Sequence, residues 1–259
     1  MSDFARLTKL ERQEIILTEV RTSASIRISE LARELGVAGE TIRRDLTELS
    51  ETGLITRTYG GATISMIDAE PMIAERGLLS IEERARIGRL TSGLIADRQI
   101  VMIDGGSTTQ EVARHLVSTR RELTLITNST GVAAVAGANP TFRVILCPGT
   151  YDLREGSVLG EDTVEFLGRY NADIAIFGAT GLTADGPSDA NSGAAAFKRA
   201  MIRQAESAIL VADSSKLGRR SFEQICGWDQ VQHVVSDAGL PPDLREAVLN
   251  AAIEIHVAQ

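Results

Sequence analysis

The feature that most constrains the fold is a regular alternation of short apolar runs with amphipathic segments along the second two thirds of the chain. Apolar runs of strand length occur at 100–103, 123–126, 143–146, 174–177, 208–211, 233–235 and 253–257. Helical spacing of apolar residues occurs between them, at about 81–95, 109–117, 130–137, 194–206 and 243–251. Because strands that alternate with helices form βαβ units, this pattern predicts an α/β domain around a parallel sheet.

The composition supports that architecture and excludes several classes of protein. Aromatic residues make up only 4% of the 259 residues, with a single Trp, so burial relies on Ala, Leu, Ile and Val. That mixture is typical of helices packed on a parallel sheet and disfavours an all-β sandwich. The formal net charge of −8 excludes a uniformly basic nucleic-acid coat.

Cysteine usage and hydropathy indicate the compartment. Cys147 and Cys226 lie far apart, so the sequence predicts neither a disulfide framework nor a zinc ribbon, and it favours a reducing compartment. No signal-peptide core follows the N-terminus, and no apolar stretch approaches the ~18 residues of a membrane span. We therefore expect a soluble, cytoplasmic protein without a membrane partner.

Residues 7–62 predict three short helices followed by a hairpin. The second helix begins at Ser29, a favourable N-cap, and ends at Gly36, while the third spans about 39–52. Two amphipathic helices joined by so tight a turn are typical of a helix-turn-helix. The strand-like segment 54–59, with paired glycines after it, predicts a wing.

These patterns predict a three-part organisation. We expect a winged helix-turn-helix domain over residues 1–63 and an α/β domain over 80–259. The intervening residues 64–79 show no sustained periodicity, which predicts a linker.

The third helix has the pattern of a DNA-recognition helix. Ile42, Leu46 and Leu49 form a narrow apolar stripe for the domain core. The candidate DNA contacts are Glu40, Thr41, Arg43, Arg44 and Thr47 on this helix, with Arg57 in the wing strand. Arginine can read guanine or bind phosphate, and threonine can contact phosphate or a thymine methyl group. The alternative is a merely solvated helix surface, which the balance of nine basic and ten acidic residues among positions 1–63 favours.

Polar motifs follow four of the predicted strands in the second domain. They are Asp104–Thr109, Thr127–Ser129, Gly178–Gly181 and Asp213–Lys216. Because the carboxyl ends of parallel strands meet at one edge of the sheet, where open α/β sheets bind ligands, the four motifs predict a single site.

The first of these motifs has the chemistry of an anion site. Gly105 and Gly106 let the backbone approach a ligand, and Ser107, Thr108 and Thr109 begin a helix whose free N–H groups suit a phosphate. The alternative is an ordinary strand-to-helix turn with a serine or threonine cap. The motif is neither a Walker loop nor a dinucleotide fingerprint.

Two lysines are further candidates. Lys216 lies three residues after Asp213 and can bring an ammonium group over the same edge, although a surface lysine is the alternative. Lys198, followed by Arg199, fits a ligand contact and a solvated helix face equally well.

A set of motifs in the first domain indicates a family. They are Glu11-Arg12-Gln13, Leu31-Ala32, Thr41-Ile42-Arg43-Arg44-Asp45-Leu46, Leu49, Gly53 and Gly60-Gly61-Ala62. These residues closely resemble the DeoR-type family of bacterial regulators of sugar metabolism, and the resemblance extends through the C-terminal region. It implies a winged helix-turn-helix that binds double-stranded operator DNA and a sensor domain similar to the ribose-5-phosphate isomerase fold. It also implies repression of a carbohydrate or sugar-alcohol operon, modulated by a phosphorylated sugar or sugar alcohol.

The resemblance implies roles for individual residues. The implied effector contacts are Asp104, Gly106, Ser107, Thr108, Thr109, Thr127, Asn128, Gly178, Gly181, Asp213 and Lys216, and the resemblance also favours Lys198. Because paired recognition helices engage half-sites about 34 Å or a multiple apart, we expect a homodimer or homotetramer.

The sequence departs from the family at several positions. Ala38 replaces a capping serine, a change that costs ~1 kcal/mol of helix stability, and Tyr59 replaces a histidine. Cys147-Pro148-Gly149 stands where relatives often have two glycines, and Ala194 stands where several have a glutamate. We therefore expect ligand specificity to differ at 185–193, a polar, glycine-rich segment that we predict to be a mobile loop.

An isomerase-like sheet leaves open a sugar-phosphate isomerase-like enzyme with an appended helix-turn-helix. Proton transfer beside a carbonyl needs a positioned base, and Phe197 stands where the isomerases have a carboxylate. The histidines, His115, His233 and His256, lie apart on separate elements, so we predict no metal and no other cofactor. A protein-interaction adaptor would leave the strand-end motifs unexplained. The sequence thus favours a regulator without catalytic activity.

Overall fold

The chain divides into two compact units, Met1–Glu70 and Pro71–Gln259. In this computed structural model, the residues described are 8–9, 12–13, 15–16, 19, 26–51, 55–58, 61–64, 72–76 and 80–259. The division between the units lies inside the segment that the sequence predicts as a linker.

The N-terminal unit contains two described helices and a small antiparallel sheet. Helix α1 spans Ile28–Glu34 and helix α2 spans Gly39–Glu51. Strands β1 (Ile26–Arg27), β2 (Ile55–Thr58) and β3 (Gly61–Ile64) form a sheet in the order β1-β3-β2. The helix pair with its β2–β3 hairpin confirms the predicted winged helix-turn-helix.

A single apolar cluster holds these elements together. Ile42, Leu46 and Leu49 of α2 are buried against Leu31 of α1 and against Ile16. The stripe predicted for the third helix therefore faces the core of this unit, because three residues at helical spacing lie on one side of α2.

The C-terminal unit contains strands and helices in near-regular alternation. Its strands are β4 (Ile100–Ile103), β5 (Thr124–Thr127), β6 (Arg143–Leu146), β7 (Thr150–Asp152), β8 (Ser157–Leu159), β9 (Ala172–Phe177), β10 (Gly181–Thr183), β11 (Gly186–Asp189), β12 (Ala205–Val211), β13 (Glu223–Gln224), β14 (His233–Ser236) and β15 (Glu254–Val257). Its helices are α3 (Ile73–Arg76), α4 (Ile81–Gly93), α5 (Ser107–Thr119), α6 (Thr130–Ala136), α7 (Glu161–Leu167), α8 (Ser192–Arg203) and α9 (Pro242–Asn250), with 3₁₀ turns at Ser214–Lys216 and Trp228–Gln230.

Seven of these strands form one parallel sheet in the order β15-β14-β12-β9-β4-β5-β6. The chain begins in the middle at β4, moves outward through β5 and β6, and returns to β9 on the other side of β4. This reversal puts the topological switch point between β4 and β9, and open α/β sheets bind ligands beyond the carboxyl ends of strands at such a point. The predicted parallel-sheet domain is confirmed.

Helices cover both faces of this sheet. Ile87 of α4, Leu116 of α5 and Val132 of α6 pack on one face. Phe197 of α8 and Leu244 of α9 belong to the apolar clusters of the other face. Strand β9 is almost wholly buried, as a central strand covered on both sides must be. Among the described residues, no helix combines the length and apolar character needed to cross a bilayer.

The prediction of a mobile loop at 185–193 is wrong. Gly186–Asp189 form β11, which pairs with β10 and β13 in a separate antiparallel sheet and is buried. Glycine, proline and aspartate are depleted in strands, so the local propensity of these residues gave no sign of β11. Its neighbouring strands supply the hydrogen bonds that the local sequence could not reveal.

Part of the predicted linker is ordered onto the C-terminal unit. Helix α3 lies in this segment, and the Ile73 N–H donates to the Arg154 carbonyl at 2.8 Å. The Arg76 guanidinium donates to the Glu155 carboxylate at 2.7 Å. The linker segment thus contributes one helical turn to the domain that follows it.

Candidate functional site

Helix α2 exposes the arginines that the sequence predicts for DNA contact. The side chains of Glu40 and Arg43 are 64% and 57% exposed, and the Arg43 guanidinium donates to the Glu40 carboxylate at 3.1 Å. Arg44 is also exposed, while Thr41 is partly buried. The Thr47 hydroxyl donates to the Arg43 carbonyl at 2.8 Å, so its proton is already used within the helix. The surface of α2 therefore presents two adjacent guanidinium groups.

Two further polar residues of this unit are Asp45, which is buried on α2, and Arg57, which lies in the wing. Asp45 is 2% exposed and accepts two hydrogen bonds from the Arg12 guanidinium, at 2.5 and 3.1 Å. This bidentate ion pair makes Asp45 a structural residue, so within Arg43-Arg44-Asp45 only the two arginines belong to the solvated surface. Arg57 lies in β2, opposite Ala62 of the wing hairpin.

The four strand-end motifs of the C-terminal unit lie at the carboxyl edge of the parallel sheet. Asp104 follows β4, Asn128 follows β5, Gly178 follows β9 and Asp213 follows β12. These strands are consecutive in the sheet. Asp104 and Gly178 flank the switch point, where the Gly178 N–H donates to Asp104 Oδ2 at 3.2 Å.

Lys198 of α8 joins Asp104 and Asp189 in a buried triad. Its Nζ lies 3.2 Å from Asp104 Oδ2 and also donates to Asp189 Oδ2. Lys198 is only 5% exposed, so its interpretation as part of a solvated helix face is wrong. The adjacent Arg199 has a partly exposed side chain and pairs with Glu223.

Burial and the neighbouring charges act in opposite directions on the pKa values of Asp104 and Lys198. Desolvation raises the pKa of Asp104 to about 6, although the Lys198 ammonium and the Gly178 N–H both lower it. Burial lowers the pKa of Lys198, but Asp189 and Asp104 outweigh that effect, so its pKa lies above the usual lysine value. Oδ1 of Asp104 is buried and has no hydrogen-bond partner among the described residues. Such an atom requires a water molecule or a ligand donor.

A second unsatisfied oxygen occurs at the end of the next strand. Asn128 Nδ2 donates to the Val158 carbonyl at 3.1 Å, while its Oδ1 is buried and without a partner in the described structure. Thr127 Oγ1 accepts from the Ser129 N–H at 3.0 Å, and Ser129 Oγ accepts from the Val132 N–H at 3.3 Å, capping α6. In this motif Thr127 and Ser129 shape the turn, and Asn128 offers a free acceptor.

The helix that follows β4 begins at the same edge. Gly106 is the N-cap of α5, and Ser107 and Thr108 are partly buried in its first turn. The first N–H groups of a helix have no partner within it, and they attract anions. The buried Thr109 hydroxyl donates to the Gly106 carbonyl at 3.0 Å and so stabilises this start.

Two of the predicted ligand glycines are required by packing. A Cβ at Gly105 would lie 1.9 Å from Ser157 Oγ, and a Cβ at Gly181 would lie 2.3 Å from the Arg219 carbonyl oxygen. Gly105 therefore brings the backbone of the glycine-rich turn close to β8. Gly181 lets β10 approach the segment after the Ser214–Lys216 turn.

Asp213 is engaged within the protein. Its Oδ2 accepts two hydrogen bonds of 3.1 Å from the Arg84 guanidinium, and its Oδ1 accepts from the Ser215 N–H at 3.1 Å. Arg84 is also buried and donates to the Arg76 carbonyl of α3. Lys216 lies partly buried at the end of the following turn.

Three residues of this region make contacts that the sequence did not predict, although Asp189 and Asn191 lie in the segment 185–193 where a difference in ligand specificity was expected. Asp189 became visible only when β11 brought it beside Lys198. Arg84 reaches the site from α4, far away in sequence, and no local pattern marks it. Asn191 accepts two N–H hydrogen bonds from the first turn of α8, at 2.8 and 3.1 Å. An asparagine directly before an alanine-rich helix is a sequence signal for an N-cap, and it could have identified Asn191.

The prediction that the histidines lie apart is wrong for two of them. Strands β14 and β15 are adjacent and parallel, with His233 opposite Glu254. His233 Nδ1 lies 3.2 Å from His256 Nε2. Only the pairing of two strands separated by a helix brings these rings together. His115 lies elsewhere, on α5.

Both cysteines behave as small buried residues. Burial raises the pKa of the Cys147 and Cys226 thiols to about 12. A thiol with so high a pKa is neither a nucleophile nor a ready metal ligand at neutral pH.

Two family models match this chain. The DeoR-like helix-turn-helix domain matches residues 12–67, and the DeoR C terminal sensor domain matches residues 79–238.

Similar full-length proteins are transcriptional regulators. The chain is 29% identical over 252 residues to the glycerol-3-phosphate regulon repressor of Escherichia coli, covering 97% of this chain and all of the relative. It is 32% identical to the regulator GlpR of Haloferax volcanii, covering 95% of this chain and 96% of that protein. It is also 32% identical to the repressor GlcR of Bacillus subtilis, covering 88% of each.

Among solved structures, the chain is similar to ribose 5-phosphate isomerase A from Methanocaldococcus jannaschii, with 16% identity and a TM-score of 0.39 over 52% of this chain and 53% of that one. It is also similar to the sorbitol operon regulator SorC from Klebsiella pneumoniae, with 16% identity and a TM-score of 0.35 over 83% of this chain and 91% of that one. On the two family models and the full-length relatives, this chain belongs to the DeoR family of transcriptional regulators.

Proposed function

We propose that this protein is a repressor of a carbohydrate or sugar-alcohol catabolic operon. It binds operator DNA through α2 and the wing, as a homodimer or homotetramer. A phosphorylated sugar or sugar alcohol binds at the carboxyl edge of the parallel sheet and changes the affinity for DNA. Membership of the DeoR family supports the DNA-binding part of this proposal.

The observation that carries the ligand assignment is the pair of unsatisfied oxygens at the carboxyl ends of β4 and β5. Asp104 Oδ1 and Asn128 Oδ1 follow neighbouring strands and lack partners among the described residues. Both atoms accept hydrogen bonds, so they fit donor groups such as sugar hydroxyls. An acceptor pair of this kind does not itself attract a phosphate.

The phosphate fits the other half of the same edge. The first N–H groups of α5, at Ser107 and Thr108, offer positive dipole charge and hydrogen-bond donors. The proposed ligand thus has one anionic end at α5 and hydroxyl groups toward Asp104 and Asn128. Glycerol 3-phosphate has a phosphate at one end and hydroxyl groups at the other. The name of the Escherichia coli relative contains this compound.

The ligand class can be tested by comparing matched compounds. DNA from upstream of the protein's own gene is titrated at fixed salt concentration, with and without each sugar phosphate and its unphosphorylated counterpart. We expect only phosphorylated compounds to change the DNA affinity, and calorimetry to show their direct binding. Equal binding of both members of a pair would contradict the phosphate site and leave DNA binding untouched.

Arg44 provides the test of DNA recognition. Arg44→Ala should weaken operator binding by roughly 5- to 150-fold, corresponding to a lost bidentate base contact of about 1–3 kcal/mol. Arg43→Ala should have a smaller effect because Arg43 already pairs with Glu40. Arg169→Ala, which removes an exposed charge from the sensor unit, is the matched control. Unchanged operator affinity in Arg44→Ala would contradict the assignment of α2.

Arg57 should behave differently from Arg44. If it contacts phosphate from the wing, Arg57→Ala weakens binding to all DNA sequences alike and reduces the salt dependence by about one ion. A loss confined to the operator sequence would instead assign Arg57 to base recognition.

A sugar-phosphate isomerase-like enzyme is the second candidate function. The observation that favours it is the buried carboxyl of Asp104, whose raised pKa of about 6 suits a general base. Against it, Phe197 is an apolar core residue at the position where the isomerases have a carboxylate. Aldose–ketose interconversion of the bound sugar phosphate, abolished in Asp104→Asn, would favour the enzyme. We expect binding without turnover.

A further inference from the structure

A cluster of three metal-ligand side chains lies away from the carboxyl edge of the sheet. His233 Nδ1 and His256 Nε2 are 3.2 Å apart, and Glu254 Oε2 lies 3.5 Å from each of them. The three atoms therefore form a nearly equilateral triangle. Ligand atoms around a tetrahedral zinc ion, at Zn–N and Zn–O distances of ~2.0–2.2 Å, are separated by roughly 3.3–3.6 Å.

The sheet holds this cluster in place. His233 and Glu254 are the first residues of β14 and β15 and lie opposite each other, and His256 is two residues further along β15. Since side chains alternate along a strand, all three residues point to the same face of the sheet. Val235 and Ala258, which continue this alternation, belong to the core that α4 and α5 cover. The arrangement therefore follows from strand register and does not depend on a surface loop.

We propose that His233, Glu254 and His256 form a binding site for a divalent first-row transition-metal ion of the zinc class. His233 supplies Nδ1, His256 supplies Nε2 and Glu254 supplies a carboxylate oxygen. Two imidazoles and one carboxylate are a recurrent set of zinc ligands, and they leave one tetrahedral position for water.

The chemistry of the site favours zinc-class ions over magnesium or calcium. Imidazole nitrogen suits Zn²⁺, Ni²⁺ and Cu²⁺, whereas Mg²⁺ and Ca²⁺ prefer sites made entirely of oxygen. The histidine side chains are 26% and 22% exposed, so the triangle is accessible, and Glu254 is 69% exposed.

A direct hydrogen bond between the two imidazoles is the alternative explanation for their contact. It requires one ring nitrogen to carry a proton and the other to accept it. That arrangement explains the 3.2 Å distance but gives Glu254 no defined role in the triangle. Metal binding would use all three atoms at once.

The site belongs to a different part of the sheet from the proposed effector site. His233 and Glu254 begin their strands, whereas Asp104 and Asn128 follow the carboxyl ends of theirs. Metal binding and effector binding can therefore be measured and lost separately.

The experiment uses the full chain, without an affinity tag and stripped of metal by a chelator that is then removed. Zn²⁺ and Mg²⁺ are titrated separately by calorimetry, and bound zinc is counted after equilibrium dialysis. We expect one Zn²⁺ per chain and no comparable binding of Mg²⁺. The double variant His233→Ala/His256→Ala should bind Zn²⁺ at least ~100-fold more weakly, because even outer-sphere partners of a metal typically contribute 10–100-fold.

His115→Ala is the matched control, since it removes the remaining histidine and should leave Zn²⁺ affinity unchanged. Glu254→Gln is a second test in case the double variant does not fold. Glu254 is exposed and glutamine keeps the shape of its side chain, so this variant should fold. Loss of the carboxylate charge should still weaken Zn²⁺ binding. Zinc should also raise the unfolding temperature of the parent and of His115→Ala, but not of the double variant. Absence of micromolar Zn²⁺ binding by the parent, or equal binding by the parent and Glu254→Gln, would overturn the proposal.

Discussion

At the scale of single residues, the buried triad carries the largest electrostatic consequences. The Lys198 ammonium pairs with both Asp104 and Asp189, and all three residues are at most 5% exposed. Removing one partner of a buried ion pair leaves charge without compensation. The position of this lysine therefore matters for stability as well as for any ligand.

Lys198→Met should destabilise the protein by about 3–5 kcal/mol, since two buried carboxylates lose their ammonium partner. The free energy of unfolding, measured by urea denaturation, tests this expectation. Arg203→Met removes an exposed cation from the same helix and should change stability by less than about 0.5 kcal/mol. Equal stabilities for the two variants would show that Lys198 is not the buried counter-ion described here.

Asp104 should titrate near pH 6. Its pKa is raised from 3.8 to about 6, so the folded protein holds this proton more tightly than the unfolded chain does. Its contribution to stability is therefore greatest below about pH 4 and is lost as the pH rises through 6. Carbon NMR of the side-chain carboxyl measures the midpoint, and Asp104→Asn identifies the signal. A midpoint near 3.8 would contradict the burial of this group.

At the scale of elements, the start of α8 determines where Lys198 is held. Asn191→Ala should cost ~1 kcal/mol of unfolding free energy, because two N–H groups in the first turn lose their acceptor. Asn191→Ser should recover most of this loss, since serine is an efficient cap. Asn250→Ala, at the exposed end of α9, is the control. If Asn191→Ala is as stable as the parent, the cap does not contribute to folding.

Helix α4 connects two parts of the C-terminal unit. Its Arg84 donates to Asp213 at the carboxyl edge of the sheet and to the Arg76 carbonyl in α3. Hydrogen bonds of Arg84 thus link the Asp213 turn to α3, in the segment that follows the DNA-binding unit. This network gives a physical route by which ligand binding can bias that segment.

At the scale of the whole molecule, the proposed DNA contacts and ligand contacts belong to different units. An effector can then change DNA affinity only if it binds two arrangements of the protein with different affinities. Removing ligand contacts should abolish this response without altering DNA binding in the absence of ligand.

Ser107→Ala/Thr108→Ala, and separately Lys216→Ala, should bind operator DNA normally and fail to respond to the sugar phosphate. DNA titrations with and without effector measure both properties. Ser118→Ala, at the far end of α5, is the control. A parent-like response in both variants at the same effector concentration would remove these residues from the proposed site.

Several features of this protein were determined by its sequence alone. The positions of β4, β6, α2 and α5 follow from local patterns: apolar residues at strand or helix spacing and turn residues at their ends. Asp104 and Asn128 could be assigned to strand ends for the same reason. The helix-turn-helix and the family were also recognisable, since both rest on contiguous motifs such as Thr41–Leu46.

The tertiary structure decided which of these residues meet. The sequence does not state that β9 lies beside β4, yet this pairing creates the switch point and joins Gly178 to Asp104. Asp189 is beside Lys198 only because β11 is a strand, and His233 is beside His256 only because β14 and β15 pair. Periodicity reports the solvent environment of each segment along the chain, whereas strand order depends on contacts between distant segments. Long-range pairing therefore created the buried triad and the histidine cluster, and local sequence patterns carry no record of it.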